Sequence, residues 1–237
     1  MKNPSEMRVE VAAKTATSAL VYAAGPASGA TVILAHGAGA GQRSPFIESF
    51  AQALAALGID VVTFNFLYTE QRRRVPDRAP LLEACYRAVI EGARERVESA
   101  RQALFIGGKS MGGRIATQVA AADAGAPIAG LVLLGYPLHP PGQPERRRDA
   151  HLPAVKRPML FVQGSRDPFG TPQELEPLLA SLHPRPTLHV VEGGDHSFKR
   201  SRCDAQAQAA IYEDVQRTLA KWMAATRAGS RTRPPRG

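Results

Sequence analysis

Five apolar runs recur along the chain, separated by segments with helical spacing. The runs are TVILAH (31–36), IDVVTFNF (59–66), ALFIGG (103–108), GLVLLGYP (130–137) and MLFVQG (159–164). A strand that is apolar at successive positions has to be covered on both faces, which is typical of parallel strands in α/β domains. The segment between the first two runs, PFIESFAQALAALG, begins with proline and ends with glycine, as helices do. The pattern predicts an α/β fold with a mostly parallel sheet flanked by helices.

The predicted elements fill one domain, residues 1–226. Two short runs at the start, MRVEV and ALVYAA, are expected to form antiparallel strands before the parallel part begins. Only about twenty residues, 137–157, separate two of the later strands, which is too short for a helical cap domain. Residues 227–237 are polar, basic and proline-bearing, so we expect a disordered tail there.

The composition limits the cellular setting and the classes of partner. The formal net charge is +9, but aromatic residues make up only 6% of the chain, so the stacking platforms of a nucleic-acid binder are not expected. No apolar stretch approaches a membrane span, and the first residues lack the apolar core of a secretory signal. Two cysteines, Cys85 and Cys203, do not suggest a disulfide framework. We therefore expect a cytoplasmic protein.

The stretch FIGGKSMGGR, residues 105–114, ends one strand and begins a helix. Its GKS letters are compatible with a phosphate-binding loop, but that loop needs a glycine where the chain has Ala103. The dinucleotide pattern G-x-G-x-x-G also fails on the glycines that follow the run 31–36. The pattern G-x-S-x-G is complete and lies on a strand-to-helix turn, the setting of a nucleophile elbow. We therefore predict that Ser110 is a nucleophile.

A nucleophilic serine needs a histidine base and an acid that orients the histidine. In this type of fold the three follow in the order serine, acid, histidine. Asp167 lies in QGSRDPFG, just past the run 159–164, and His196 lies in the glycine-rich turn GGDHSF after the last strand. All three positions follow strand carboxyl ends, where active sites of open α/β sheets collect. Ser110, Asp167 and His196 are the predicted triad.

The other downstream histidines and a second acid have simpler interpretations. His189 lies inside a strand and His183 precedes a proline at a helix end, so both are expected to be structural. Asp195 is adjacent to the predicted base, and adjacent side chains rarely face each other in a loop. His139 and His151 flank a loop and are candidate substrate contacts.

Taken together, several segments of the chain resemble the α/β-hydrolase superfamily. They are LAHGAGAG, GGKSMGGR, LLGYPLHPPG, QGSRDPFG and GGDHSF. The chain is most similar to small dienelactone-hydrolase-like proteins and to a bacterial family related to the hydrolase-like subunit of an animal histone-acetyltransferase complex. The resemblance implies that Ser110 is the nucleophile, Asp167 the acid and His196 the base. It also implies an oxyanion hole formed by the backbone N–H groups of Met111 and Ala38. Dienelactone hydrolases proper use a cysteine nucleophile, so their lactone specificity is not carried over.

Two arginine triplets follow parallel strands and therefore belong to loops at the predicted active-site edge of the sheet. They are Arg72, Arg73, Arg74 and Arg146, Arg147, Arg148. One hypothesis is that these six guanidiniums rim the cleft and attract an anionic substrate. The alternative is that both runs are solvated loop charge.

The predicted function is that of a serine hydrolase. It would act on a small carboxylic ester or related acyl bond through an acyl-enzyme intermediate, with no metal and no cofactor. The alternative is a non-catalytic, hydrolase-like interaction protein, because this type of fold also hosts proteins that only bind partners. A complete serine–acid–histidine order favours the enzyme.

Overall fold

Eight strands form one sheet in the computed structural model of the protein, which describes residues 3–231. The strands are β1 (Ser5–Ala12), β2 (Thr15–Tyr22), β3 (Thr31–Ala35), β4 (Asp60–Phe64), β5 (Leu104–Lys109), β6 (Gly130–Leu134), β7 (Met159–Gly164) and β8 (Thr187–Val191). Their order is β1-β2-β4-β3-β5-β6-β7-β8. Strand β1 pairs with β2, and β2 with β4, in antiparallel orientation. All neighbouring pairs from β4 onwards in this order are parallel. The predicted mostly parallel sheet is confirmed.

Helices cover both faces of the sheet. They are α1 (Pro45–Ala56), α2 (Leu67–Glu70), α3 (Ala79–Arg96), α4 (Glu98–Gln102), α5 (Met111–Ala122), α6 (Pro172–Ser181) and α7 (Ala205–Arg231). Helices α3, α5 and α6 share one apolar core with the sheet, and α1 and α7 share a second core on the opposite face. Helix α7 is longer than expected: residues 227–231 of the predicted tail are helical, and residues 232–237 lie outside the described part.

The two cores explain why the central strands carry apolar side chains on both faces. In β3, Ile33 and Ala35 belong to one core, while Val32 and Leu34 belong to the other. Successive side chains of a strand point to opposite faces, so both sets are fully buried. Each large apolar side chain buried in this way contributes roughly 1.5–3 kcal/mol, which makes the central strands a rigid support for the loops at their ends.

The carboxyl edge of the parallel sheet is not covered by a cap domain. Residues 135–158, all described, connect β6 to β7 with a single 3-10 turn at Leu152–Ala154 and no further helix or strand. The predicted absence of a large cap is confirmed for this segment. Within residues 3–231, none of the helices combines the length and the apolar character that crossing a membrane requires.

Candidate active site

Ser110 lies on a strained turn between β5 and α5. Its backbone angles are φ 53° and ψ −117°, a conformation that residues with side chains rarely adopt. Glycines make the turn sterically accessible, because a Cβ atom at Gly108 would lie 2.2 Å from the carbonyl oxygen of Ala35, and one at Gly112 would lie 2.5 Å from it. The outer glycines of G-x-S-x-G are therefore required by the packing of the turn against β3.

Three side chains form a continuous hydrogen-bond chain at this edge of the sheet. His196 Nε2 lies 2.9 Å from Ser110 Oγ, and His196 Nδ1 lies 2.8 Å from Asp167 Oδ2. The side chain of Asp167 is fully buried, whereas Ser110 and His196 are partly accessible. The structure thus brings together the three residues predicted from the sequence, in hydrogen-bond geometry.

The acid is held in one orientation by two neighbours. The amide of Gln163 donates to Asp167 Oδ2 at 2.8 Å, and the backbone N–H of Phe169 donates to Asp167 Oδ1 at 2.8 Å. The ring of Phe169 lies 4.2 Å from the His196 ring, between centroids. These contacts orient the carboxylate towards the imidazole and restrict the movement of the imidazole itself.

The loop after β3 passes directly against the elbow. A Cβ atom at Gly37 would lie 3.5 Å from Ser110 Cβ. His36 anchors this loop: the N–H of Phe66 donates to His36 Nε2, so Nδ1 carries the proton and donates to the Gly37 carbonyl. Ala38 follows on this loop and lines the cleft together with Met111, the first residue of α5. An N–H in the first turn of a helix lacks an intrahelical partner, so Met111 can donate to a ligand.

An open cleft of about 910 Å³ leads to Ser110 and His196. Its wall includes apolar and aromatic side chains, among them Phe46, Leu82 and Phe169. A cleft of this size accommodates a small molecule. The arrangement is suited to a nucleophilic attack by Ser110 on a bound carbonyl group.

The comparisons with known proteins identify the family of the chain. Residues 28–224 match the family model described as an alpha/beta hydrolase domain. The chain belongs to the α/β-hydrolase family.

Solved structures from several organisms share the fold of this α/β hydrolase. A dienelactone hydrolase from Anabaena variabilis is 21% identical with a TM-score of 0.74, over 94% of this chain and 98% of that one. An α/β serine hydrolase without a lid from Xanthomonas campestris is 22% identical with a TM-score of 0.71, over 94% and 96%. An esterase from Pyrococcus furiosus is 13% identical with a TM-score of 0.72, over 93% and 90%. These likenesses establish the shared fold.

Only part of the predicted arginine rim is assembled in the hydrolase. Of the six arginines, Arg148 alone lines the cleft. The first triplet is exposed, and Arg73 pairs with Asp77. In the second triplet, Arg147 pairs with Asp149 and Arg146 bonds to Gln143 in its own loop. Three of the six arginines therefore bond to neighbouring side chains in their own loops, and five of the six, all within the described residues, do not line the cleft.

The two histidines proposed as substrate contacts have other partners. His139 is buried, with Nε2 3.1 Å from Glu174 Oε1 and Nδ1 2.8 Å from the Pro140 carbonyl. His151 Nε2 lies 2.8 Å from Thr117 Oγ1. Neither histidine lines the cleft within the described part of the chain.

Three basic residues that line the cleft, Lys109, Arg114 and Lys199, were not identified from the sequence. Arg114 lies one helical turn after Ser110, and its N–H donates to the Ser110 carbonyl at 3.1 Å. That spacing places both residues on one face of α5 and was a usable signal. Lys109 is the residue before Ser110, and its position in an apolar strand end gave no indication of where its ammonium group lies.

The ammonium group of Lys109 is buried beside the triad without a hydrogen-bond acceptor among the described residues. A Cβ atom at Gly135 would lie 3.1 Å from Lys109 Nζ and 3.3 Å from His196 Nδ1. Burial lowers the pKa of Lys109 to about 8, against the opposing effect of the Asp167 and Asp195 carboxylates. A buried cation without a hydrogen-bond acceptor costs free energy of folding, so we expect Lys109 to lower the stability of the fold, although its Nζ lies over the Phe46 ring, 5.8 Å from the centroid.

We expect Lys109→Met to stabilise the hydrolase at pH 7 by on the order of 1–3 kcal/mol. Because the pKa of Lys109 falls from 10.5 unfolded to about 8 folded, the unfolded state binds more protons between these values. The wild type should therefore regain stability as the pH rises through that window, and the advantage of the variant should shrink. Denaturant unfolding at pH 7 and about pH 10 measures both effects. Lys221→Met, at an exposed position, is the control, and a destabilised Lys109→Met at pH 7 would contradict the prediction.

Proposed function

We propose that this α/β hydrolase is a serine hydrolase that cleaves a small carboxylic ester or related acyl bond. The observation that carries the proposal is the chain of hydrogen bonds from Ser110 Oγ through His196 to the buried carboxylate of Asp167. A serine that lies on a strained elbow and contacts an oriented imidazole is set up for nucleophilic catalysis.

In the first half of the reaction, His196 Nε2 accepts the proton of Ser110 as Oγ attacks the carbonyl carbon of the ester. The resulting imidazolium is stabilised by Asp167, which accepts from Nδ1–H throughout. The oxyanion accepts hydrogen bonds from the N–H groups of Ala38 and Met111. Collapse of the tetrahedral intermediate breaks the bond to the leaving oxygen, which takes the proton from His196 and departs as an alcohol.

In the second half, water hydrolyses the acyl-enzyme. His196 removes a proton from the water, the hydroxide oxygen bonds to the acyl carbon, and the bond to Ser110 Oγ breaks as Oγ recovers the proton. The products are a carboxylic acid and free enzyme. The cleft is open on the solvent side, so water has access to the acyl group.

The comparisons support the reaction class. The family is that of α/β hydrolases, and the structures of similar fold include proteins described as a serine hydrolase and an esterase. The identity of the acyl group, and the kinship to the bacterial family related to a histone-acetyltransferase subunit, stay predictions from the sequence.

Labelling with a fluorophosphonate tests the proposal. The reagent phosphonylates serines that are activated by a neighbouring base, so we expect the wild type to be labelled once, on the peptide that carries Ser110. Ser110→Ala should not be labelled, and His196→Ala should be labelled far more slowly. Intact-protein and peptide mass spectrometry measure the adducts. A folded wild type that takes up no label would refute the proposal and favour a non-catalytic interaction protein.

A further inference from the structure

Two arginines face the cleft from different elements of the fold. Arg114 lies on the first turn of α5, on the face that carries Ser110, and Arg148 lies on the connection between β6 and β7. Both side chains line the cleft, and within the described residues neither forms a salt bridge. Both are half-buried, and the Arg114 Nε–H has no hydrogen-bond acceptor in the described part of the protein.

Three carboxylates in this region each form a salt bridge with a different arginine, not with Arg114 or Arg148. The pairs are Asp77 with Arg73, Glu83 with Arg87, and Asp149 with Arg147. The neighbouring His151 is disfavoured as a further cation, because burial, followed by the charge of Arg114, lowers its pKa. Among the described residues, Arg114 and Arg148 therefore have no carboxylate partner of their own, and the one carboxylate among the cleft-lining residues, Asp77, is paired with Arg73.

The backbone holds Arg148 in place. Its N–H donates to the Leu138 carbonyl at 2.8 Å, and its carbonyl accepts from the Tyr136 hydroxyl at 2.7 Å. Burial, followed by the charges of Arg114 and Arg146, lowers the pKa of Arg148, as expected for a guanidinium that shares a cleft wall with Arg114. Two guanidiniums that line one cleft repel each other when the cleft is empty, and both attract an anion that binds against them.

We propose that Arg114 and Arg148 form a subsite for a carboxylate group of the substrate, so that the preferred ester is anionic. Planar guanidiniums match the geometry of a carboxylate and can each donate two hydrogen bonds to it. The inference rests on the proposed serine-hydrolase function and adds the chemical class of the substrate. It replaces the rim of six arginines with two residues, one on α5 and one on the connection between β6 and β7.

Matched ester pairs test the subsite on both parts of the substrate. On the acyl side, 4-nitrophenyl hexanoate is compared with the mono-4-nitrophenyl ester of adipate. On the alcohol side, 4-methylbenzyl acetate is compared with 4-carboxybenzyl acetate. We expect kcat/KM to favour the anionic member of at least one pair by about tenfold or more, and the preference to shrink at high salt.

Variants that remove one positive charge then show which arginines cause the preference for the anionic ester. Arg114→Gln and Arg148→Gln should each reduce it by about tenfold, mainly through KM for the anionic ester. Arg146→Gln, which removes the same charge from an exposed position in the same loop, should keep it. A preference that survives in both cleft variants, or one that is lost only in Lys109→Met, would overturn the assignment.

Different results would contradict the proposed subsite and the proposed hydrolase function. Equal kcat/KM within both pairs, while fluorophosphonate still labels Ser110, would overturn the subsite and leave the hydrolase function intact. Without turnover or labelling, calorimetric titration of adipate into the Ser110→Ala protein still tests the subsite. Binding that is weakened about tenfold by a second substitution, Arg148→Gln, supports it, and a protein that binds no adipate overturns it.

Discussion

Replacing Ser110 or His196 with alanine is expected to reduce kcat for ester hydrolysis by about 10⁵- to 10⁶-fold. Without the Ser110 hydroxyl no acyl-enzyme forms, and without His196 the hydroxyl keeps its proton at neutral pH. The two losses should not add in the double variant, since both residues act in the same step. The remaining rate should come from binding and from the oxyanion donors.

Single-turnover and steady-state assays with a 4-nitrophenyl ester measure these losses. Ser201→Ala provides the control, because Ser201 is exposed in the segment that follows His196 and does not line the cleft. Thermal unfolding shows whether each variant keeps the fold. A folded Ser110→Ala protein that retained a tenth of the wild-type kcat would refute the assignment of the nucleophile.

The sequence predicted the fold well because its signal is distributed over many residues. A strand with successive apolar residues, such as residues 32–35 of β3, is typical of a sheet that is covered on both faces. The elbow was equally readable, since Gly108 and Gly112 are needed where a Cβ atom would collide with the Ala35 carbonyl. Ser110, Asp167 and His196 were predicted to lie close together because each follows the carboxyl end of a strand, and the structure places them in contact. Their catalytic roles stay a prediction.

Loop side chains were harder to place because single neighbours decide their direction. Arg147 turns towards Asp149, while Arg148 in the same triplet lines the cleft. His139 is directed away from the cleft by Glu174, whose carboxylate also accepts from Thr171 in the capping box of α6. No periodicity in the sequence encodes the direction of such side chains. Of the six arginines predicted to line the cleft, only Arg148 does so, together with Arg114.

Asp167→Asn is expected to lower kcat by about 10⁴-fold while leaving KM for a neutral ester nearly unchanged. In the wild type, Oδ2 accepts from His196 and Gln163, and Oδ1 accepts from the Phe169 N–H. An asparagine side chain has one oxygen and one NH₂ group. The NH₂ group must therefore face either the Phe169 N–H or the pair of donors formed by His196 and Gln163. If it faces His196 it donates to Nδ1, and the proton then sits on Nε2, where it prevents His196 from acting as a base towards Ser110.

Asp195→Asn is the matched control, since it makes the same chemical change one residue before His196. Asp195 is exposed, and its Oδ1 accepts from the backbone N–H groups of Ser197 and Lys199. An amide oxygen can accept both bonds, so we expect kcat to stay within a few-fold of the wild type. Rates measured from acidic to alkaline pH separate the two cases, because a trapped tautomer is not rescued at high pH. Near-full activity in Asp167→Asn, with a large loss in Asp195→Asn, would transfer the acid role to Asp195.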